Sequence, residues 1–229
     1  MRWSARCRRR AAGSASPACV RCCAPRACSP RRRPAEPAAP PSVEPLPVPP
    51  ESLLSADPLC PACPGVRLRI ATPADLPLIL GYIRALADYE RLSDQVVADE
   101  ALLDAHLFGE RPAAEVLLAE LDGAPAGFAL YFTSFSTFLG RPGIYLEDLW
   151  VEPACRRRGV ARTLLVALAR LALARGCGRF EWSVLDWNEP AIRFYRALGA
   201  VGMDEWTVQR VSGAALVRLA GGEIAAQAG

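Results

Sequence analysis

The chain has 229 residues and a formal net charge of +3, and it contains no lysine, so all 27 basic side chains are arginine. Residues 1–65 carry ten Arg against Glu36, Glu44, Glu51 and Asp57, a net of +6, which leaves −3 for the rest of the +3 chain. A mildly acidic remainder argues against nucleic acid as its partner and suits a cationic one, and no apolar run approaches the ~20 residues that span a bilayer, so no membrane partner is expected.

In chain order, residues 1–65 come first and hold 14 of the 21 prolines and seven of the nine cysteines. With few aromatic or β-branched residues, this stretch cannot bury enough apolar surface to offset the entropy of ordering, and it reads as a disordered Arg/Pro/Ala/Cys-rich tail. The clusters Arg8–Arg10 and Arg31–Arg33 flank no continuous apolar segment of the kind a secretory signal needs, so none is expected. The tail reads as an extension translated from an early start codon or as a dispensable arm, with an organelle transit peptide as the other reading. Its two C-x-x-C pairs, Cys19/Cys22 and Cys60/Cys63, are 37 residues apart across Pro-rich chain, and no metal is expected. Only Cys155 and Cys177 fall outside the tail, which suits a reducing compartment and places the protein in the cytoplasm.

A single α/β domain over residues 66–220 is expected next, followed by a flexible C-terminus at 221–229. Val66 to Ile70 alternates as a strand. Thr72-Pro73 starts a helix, with Thr as N-cap and Pro in the first turn, and the pattern runs to about Glu90. A short amphipathic helix spans Asp99 to Leu107. Glu115–Leu121 and Gly127–Phe135 read as strands joined by Asp122-Gly123, a strong hairpin signal, and Gly143–Val151 as a fourth strand. Leu164, Leu165, Leu168 and Leu171 share one face of a helix from Gly159 to Arg175, ended by Gly176. Arg179–Leu185 reads as a fifth strand, Glu189–Leu198 as a fourth helix, and Val208–Val211 with Ala214–Leu219 as terminal strands.

The most telling stretch is Arg156-Arg157-Arg158-Gly159-Val160-Ala161, set between the strand ending at Val151 and the following helix. Gly159 and the small Ala161 let backbone N–H groups approach an anion, and the new helix points its positive end at the same spot, so the layout suits a pyrophosphate. Upstream lies the carboxylate pair Glu147-Asp148, which strict alternation would put on opposite faces of the strand. Downstream runs Asp186-Trp187-Asn188-Glu189-Pro190 to Phe194-Tyr195.

Over about residues 66–220 the chain resembles the GNAT superfamily of acetyl-CoA-dependent N-acetyltransferases, whose pyrophosphate loop has the form Gln/Arg-x-x-Gly-x-Gly/Ala, filled here by Arg156, Gly159 and Ala161. Tyr89 to Val96, Tyr145-Leu146-Glu147-Asp148, Val184 to Asn188 and Phe194-Tyr195 narrow the resemblance to the spermidine/spermine and thialysine acetyltransferase branch. The resemblance implies a mixed, largely antiparallel sheet flanked by about four helices. It also implies transfer of an acetyl group from acetyl-CoA to a primary amine of a diamine, polyamine or thialysine-like small molecule, by direct attack in a ternary complex of a homodimer. The alternatives are acetylation of a protein N-terminus or an amino sugar, or a non-catalytic acyl-CoA sensor.

The same resemblance assigns the residues. Tyr195 is the acid that protonates the leaving thiolate and Glu147 the base toward the amine. The amides of Leu149 and Val151 on either side of Trp150 pair with the pantetheine arm, and Arg156, Arg157, Arg158, Gly159, Val160, Ala161 and Arg162 hold the pyrophosphate. Asn188 either orients CoA near its thiol or caps its own helix. Tyr89, Glu90 and Glu147, with Asp204 and Trp206, surround the acceptor. His106 and Cys155 are left as structural residues.

Overall fold

The computed structural model describes residues 65–222, so the readings of the N-terminal tail and of residues 223–229 lie outside the described residues. Within them the strands are β1 (Val66–Ile70), β2 (Glu115–Leu121), β3 (Ala124–Ser136), β4 (Arg141–Val151) and β5 (Arg179–Trp182). The α-helices are α1 (Leu76–Tyr89), α2 (Glu100–Leu107), α3 (Val160–Ala174), α4 (Glu189–Ala197) and α5 (Gly213–Ala220). The strands form one sheet in chain order, antiparallel from β1 to β4 and parallel between β4 and β5. This is the mixed α/β fold with a largely antiparallel sheet that the resemblance implies, with five helices in place of about four.

Local chemistry accounts for the joints. Asp122 and Gly123 take φ of 53° and 81°, the two left-handed residues of the tight hairpin turn that Asp-Gly favours. Thr72 and Asp75 form a reciprocal capping box around Pro73 ahead of α1, and Asp99 caps α2 by accepting from the Leu102 amide at 2.8 Å.

The sheet is covered on both faces. On one face α3 lays Val160, Leu164, Leu168 and Leu171 against Leu117, Ala129, Ile144 and Leu146. On the other, Ile79 and Tyr82 of α1 and Leu107 of α2 pack on Val116, Leu118, Phe128 and Trp150. Period-2 alternation along β2 and period-3.6 spacing along α3 are what let each element meet its partner layer.

Two departures from the expected elements matter for the site. In β4 the register jumps: Leu130 pairs with Asp148 while the next residue, Tyr131, pairs with Leu146, so Glu147 is an unpaired bulge residue. An extra residue reverses the alternation beyond it. Ile144 and Leu146 face α3, yet Trp150 packs on the α1 face, and Asp148, opposite Leu130, shares that face. The expectation that strict alternation separates Glu147 from Asp148 is therefore corrected.

The second departure is at the C-terminus. Val208–Val211 forms no strand, and Ala214–Leu219 lies in helix α5. Every described residue from Val201 onward is exposed, and β5 keeps one edge without a strand beside it among the described residues. A strand is stabilised only by a partner, and alternation alone cannot supply one.

Candidate active site

β4 and β5 run side by side only where Gly143–Leu146 pairs with Arg179–Trp182. Beyond that, β4 continues to Val151 while the chain after β5 turns away toward α4. The splayed strands open a cleft of about 670 Å³, lined by the end of α1, β4 from Leu146 to Val151, the loop into α3, and α4.

At one end of the cleft the loop turns sharply before α3. Arg157 and Gly159 both take left-handed φ, 62° and 87°. Gly159 is the N-cap of α3, and no side chain caps its first turn. The leading amides of Val160, Ala161 and Arg162 are thus among those a helix cannot satisfy internally, and they carry the positive end of the helix dipole. Arg157, Arg158 and Arg162 line the cleft with these amides, while the Arg156 guanidinium lies over the rings of Trp150 and Tyr89. Arg158 also pairs with Asp122 at 2.8 Å, an exposed ion pair that ties the loop to the β2–β3 turn.

At the other end the cleft is lined by Glu90 and Glu147, with a third carboxylate, Asp148, near enough to feel both charges. Burial, followed by the charges of Glu147 and Glu90, pushes the Asp148 carboxyl up to about 6, and burial raises Glu90 as well. Beside them stand aromatic rings: Tyr89 lies 6.1 Å from Trp150 and 5.9 Å from Trp187 between centroids. The arrangement suits a small cation, which carboxylates attract and ring faces accept.

Between the two ends sits Tyr195 on α4, packed against Trp182 and Phe194 at 5.1 and 5.5 Å between centroids. Burial, with a smaller push from Glu90, raises its phenol to about 12, so it stays protonated throughout the physiological range. The Asn188 side chain caps α4 through the Ala191 amide and accepts from the Tyr89 hydroxyl, each at 3.3 Å. It thereby ties the end of α1 to the start of α4.

The cleft brings together Tyr89, Glu90, Glu147, Leu149, Trp150, Val151, Arg156 to Arg162, Asn188 and Tyr195. It does not include Asp204 or Trp206, which lie in the exposed segment before α5, Trp206 at 71% exposure. Sequence reasoning left Asp148 without a role and missed the side-chain position of Arg156. The first is set by a bulge that no Gly or Pro marks, the second by tertiary stacking.

A model of the Acetyltransferase (GNAT) family matches residues 81–200, more than half of the chain. This chain belongs to the GNAT family. It is 42% identical over 167 residues to the thialysine N-epsilon-acetyltransferase of Bos taurus, covering 68% of this chain and 98% of that protein. It is 34% identical to an L-ornithine N5-acetyltransferase of Arabidopsis thaliana, covering 66% of this chain and 86% of the relative. Among solved structures, an integron cassette protein from the V. cholerae mobile metagenome superposes with a TM-score of 0.59 at 25% identity, covering 68% of this chain and 98% of the other. This GNAT chain is an N-acetyltransferase. Among its described residues no helix is long and apolar enough to cross a membrane.

The carboxylate cluster of this GNAT domain carries a stability consequence. Asp148 binds its proton more tightly folded, near 6, than its ordinary value of 3.8, so at neutral pH its ionised form opposes folding. Asp148→Asn is expected to stabilise the domain by about 1–3 kcal/mol at pH 8. The gain should shrink as pH falls through 6 and vanish below 4, where the native carboxyl is protonated in both states. Denaturant melts of both proteins at pH 8 and pH 5 check this; a gain equal at both values would sink the electrostatic account.

Proposed function

We propose that the protein transfers the acetyl group of acetyl-CoA to a primary amine of a diamine, polyamine or thialysine-like small molecule, by direct attack in a ternary complex. One observation carries the reading: a single cleft has an anion-receiving loop at one end, the carboxylates of Glu90 and Glu147 beside aromatic rings at the other, and a protonated phenol between. That polarity matches a long anionic co-substrate meeting a small cationic acceptor.

The chemistry divides among the chain's residues. The ammonium gives up a proton to Glu147, directly or through one water, and the neutral nitrogen attacks the thioester carbonyl. As the C–N bond forms and the C–S bond breaks, the Tyr195 phenol donates a hydrogen bond to the departing thiolate, and the acylated nitrogen releases its second proton to solvent as the sulfur is protonated. Leu149 and Val151 offer backbone groups at the splayed edge of β4 to the pantetheine arm, alongside Trp150, and Arg156 to Arg162 receive the pyrophosphate. Asn188 holds the Tyr89 hydroxyl and so keeps the acceptor wall in register with α4. No acyl-enzyme is needed, and Cys155 and His106 have no part in the reaction.

The working unit we infer is a homodimer. Val201, Trp206, Val208 and Val217 are each more than 70% exposed, an apolar load that a second copy of the chain would cover. Asp204 and Trp206 would then reach an acceptor site only as part of the assembly. Cys155 and Cys177 are free thiols, which supports a cytoplasmic setting.

The test is thiol release from acetyl-CoA by the purified full chain with thialysine, ornithine, spermidine, an aminoglycoside and an N-terminal peptide. Turnover is expected with the first three. Release confined to the peptide or the aminoglycoside would overturn the acceptor class, and CoA binding without release from any amine would make the protein a sensor.

A further inference from the structure

Arg156 opens the anion-binding loop, yet its side chain points away from that task. Its guanidinium carbon lies 4.9 Å from the centre of the Trp150 ring and 5.2 Å from that of Tyr89, within cation–π range of both. Its Nε donates to the carbonyl of Val151 at 3.2 Å. Val151 belongs to the splayed edge of β4, and Tyr89 and Trp150 form the aromatic side of the carboxylate end. One flexible side chain therefore reaches from the anion end of the cleft to its cation end.

Resting on the reading that this cleft takes acetyl-CoA and a cationic amine, we propose that the Arg156 guanidinium is an internal substitute for the substrate ammonium. It occupies the Tyr89–Trp150 aromatic wall until the CoA pyrophosphate draws it away. The charges favour such an exchange. Without CoA, two ring faces and the Val151 carbonyl hold the guanidinium, and no carboxylate among the described residues forms an ion pair with it. With CoA present, a doubly ionised pyrophosphate at the first turn of α3 offers bidentate partners, and the pantetheine arm competes for the Val151 edge. Departure of Arg156 frees both rings for an amine.

The consequence is ordered binding. An amine arriving first must displace a tethered competitor, so its apparent affinity is reduced by the fraction of molecules whose wall is free. Bound CoA removes that competitor, and by linkage the amine strengthens CoA binding by the same factor. Two ring contacts of this kind correspond to a coupling of roughly 5- to 30-fold.

The experiment titrates thialysine calorimetrically into the full chain, alone and with saturating CoA, for the wild type and for Arg156→Gln. Arg156 is exposed and its guanidinium covers the buried Trp150 ring, so a thermal melt of the variant checks that the fold is kept. The wild type should bind thialysine roughly 5- to 30-fold more tightly when CoA is present. Arg156→Gln should bind it more tightly than the wild type without CoA, bring the coupling close to one, and lose CoA affinity. The proposal is overturned if the variant binds thialysine alone no better than the wild type and keeps the full coupling. A wild type that binds CoA but shows no thialysine binding under either condition overturns it as well. Failure of the wild type to bind CoA at all would instead bring down the underlying reading of the cleft, and this proposal with it.

Discussion

Gly159→Val is expected to weaken CoA binding by roughly 10²-fold while leaving the fold intact. Gly159 sits at φ 87°, where a β-branched residue is strained by about 1–2 kcal/mol or more. The strain is relieved only if the loop rotates, and rotation turns away the amides that precede α3. Those amides act as an anion site because several of them converge, so a change at one residue disturbs them together. A side chain would also stand where the backbone must approach the pyrophosphate. The hydrophobic face of α3 begins at Val160, which is buried and unaffected, so thermal stability should fall little. Calorimetric titration with CoA, paired with a thermal melt, separates the two effects. Unchanged CoA affinity in a folded variant would mean that the co-substrate binds elsewhere.

Much of this site was legible in the sequence because its signals are local. A glycine after three arginines, between a strand and a leucine-faced helix, demands a turn with free amides whatever surrounds it. Asp122-Gly123 and Thr72-Pro73 likewise act within a few residues. The parts that were not legible depend on partners far along the chain. Glu147 and Asp148 look like an alternating pair, and only the pairing of β3 with β4 reveals the bulge that moves Asp148 to the α1 face beside Glu90. The stacking of Arg156 on Tyr89 joins residues that no periodicity relates.

The C-terminal segment illustrates the same division from the other side. Val208 to Val211 has strand composition, but among the described residues nothing pairs with the free edge of β5. Ala214 to Leu219 contains Ala, Leu and Arg, which are good helix formers, and without a sheet to join it takes the locally satisfied state, α5. Alternation over so few residues cannot outweigh the absence of a neighbour. A second copy of the chain would change that balance, so the proposed dimer and the conformation of this segment are coupled.

Tyr195→Phe is expected to lower kcat by roughly 10²-fold or more with CoA affinity nearly unchanged, the scale of losing one positioned donor to a developing anion. The environment refines how the phenol acts. Burial and Glu90 raise it to about 12, which makes it a weaker acid than a free phenol but keeps it protonated at every working pH. A thiolate whose thiol has an ordinary value near ~8.5 is the weaker base of the two, so complete proton transfer before C–S cleavage would be uphill. The phenol therefore contributes a hydrogen bond that strengthens as charge gathers on sulfur, and solvent completes the protonation of the released thiolate while the phenol keeps its own proton. Such an interaction is weak toward the bound thioester and strong in the transition state, so its loss falls on kcat and spares binding. Phenylalanine keeps the ring against Trp182 and Phe194, which separates the hydrogen bond from packing. Since no other side chain is called on at sulfur, the deficit should persist across pH 6–9, with no rescue at the alkaline end. Wild-type turnover by the variant with its preferred amine would reduce Tyr195 to a packing residue and leave water as the donor.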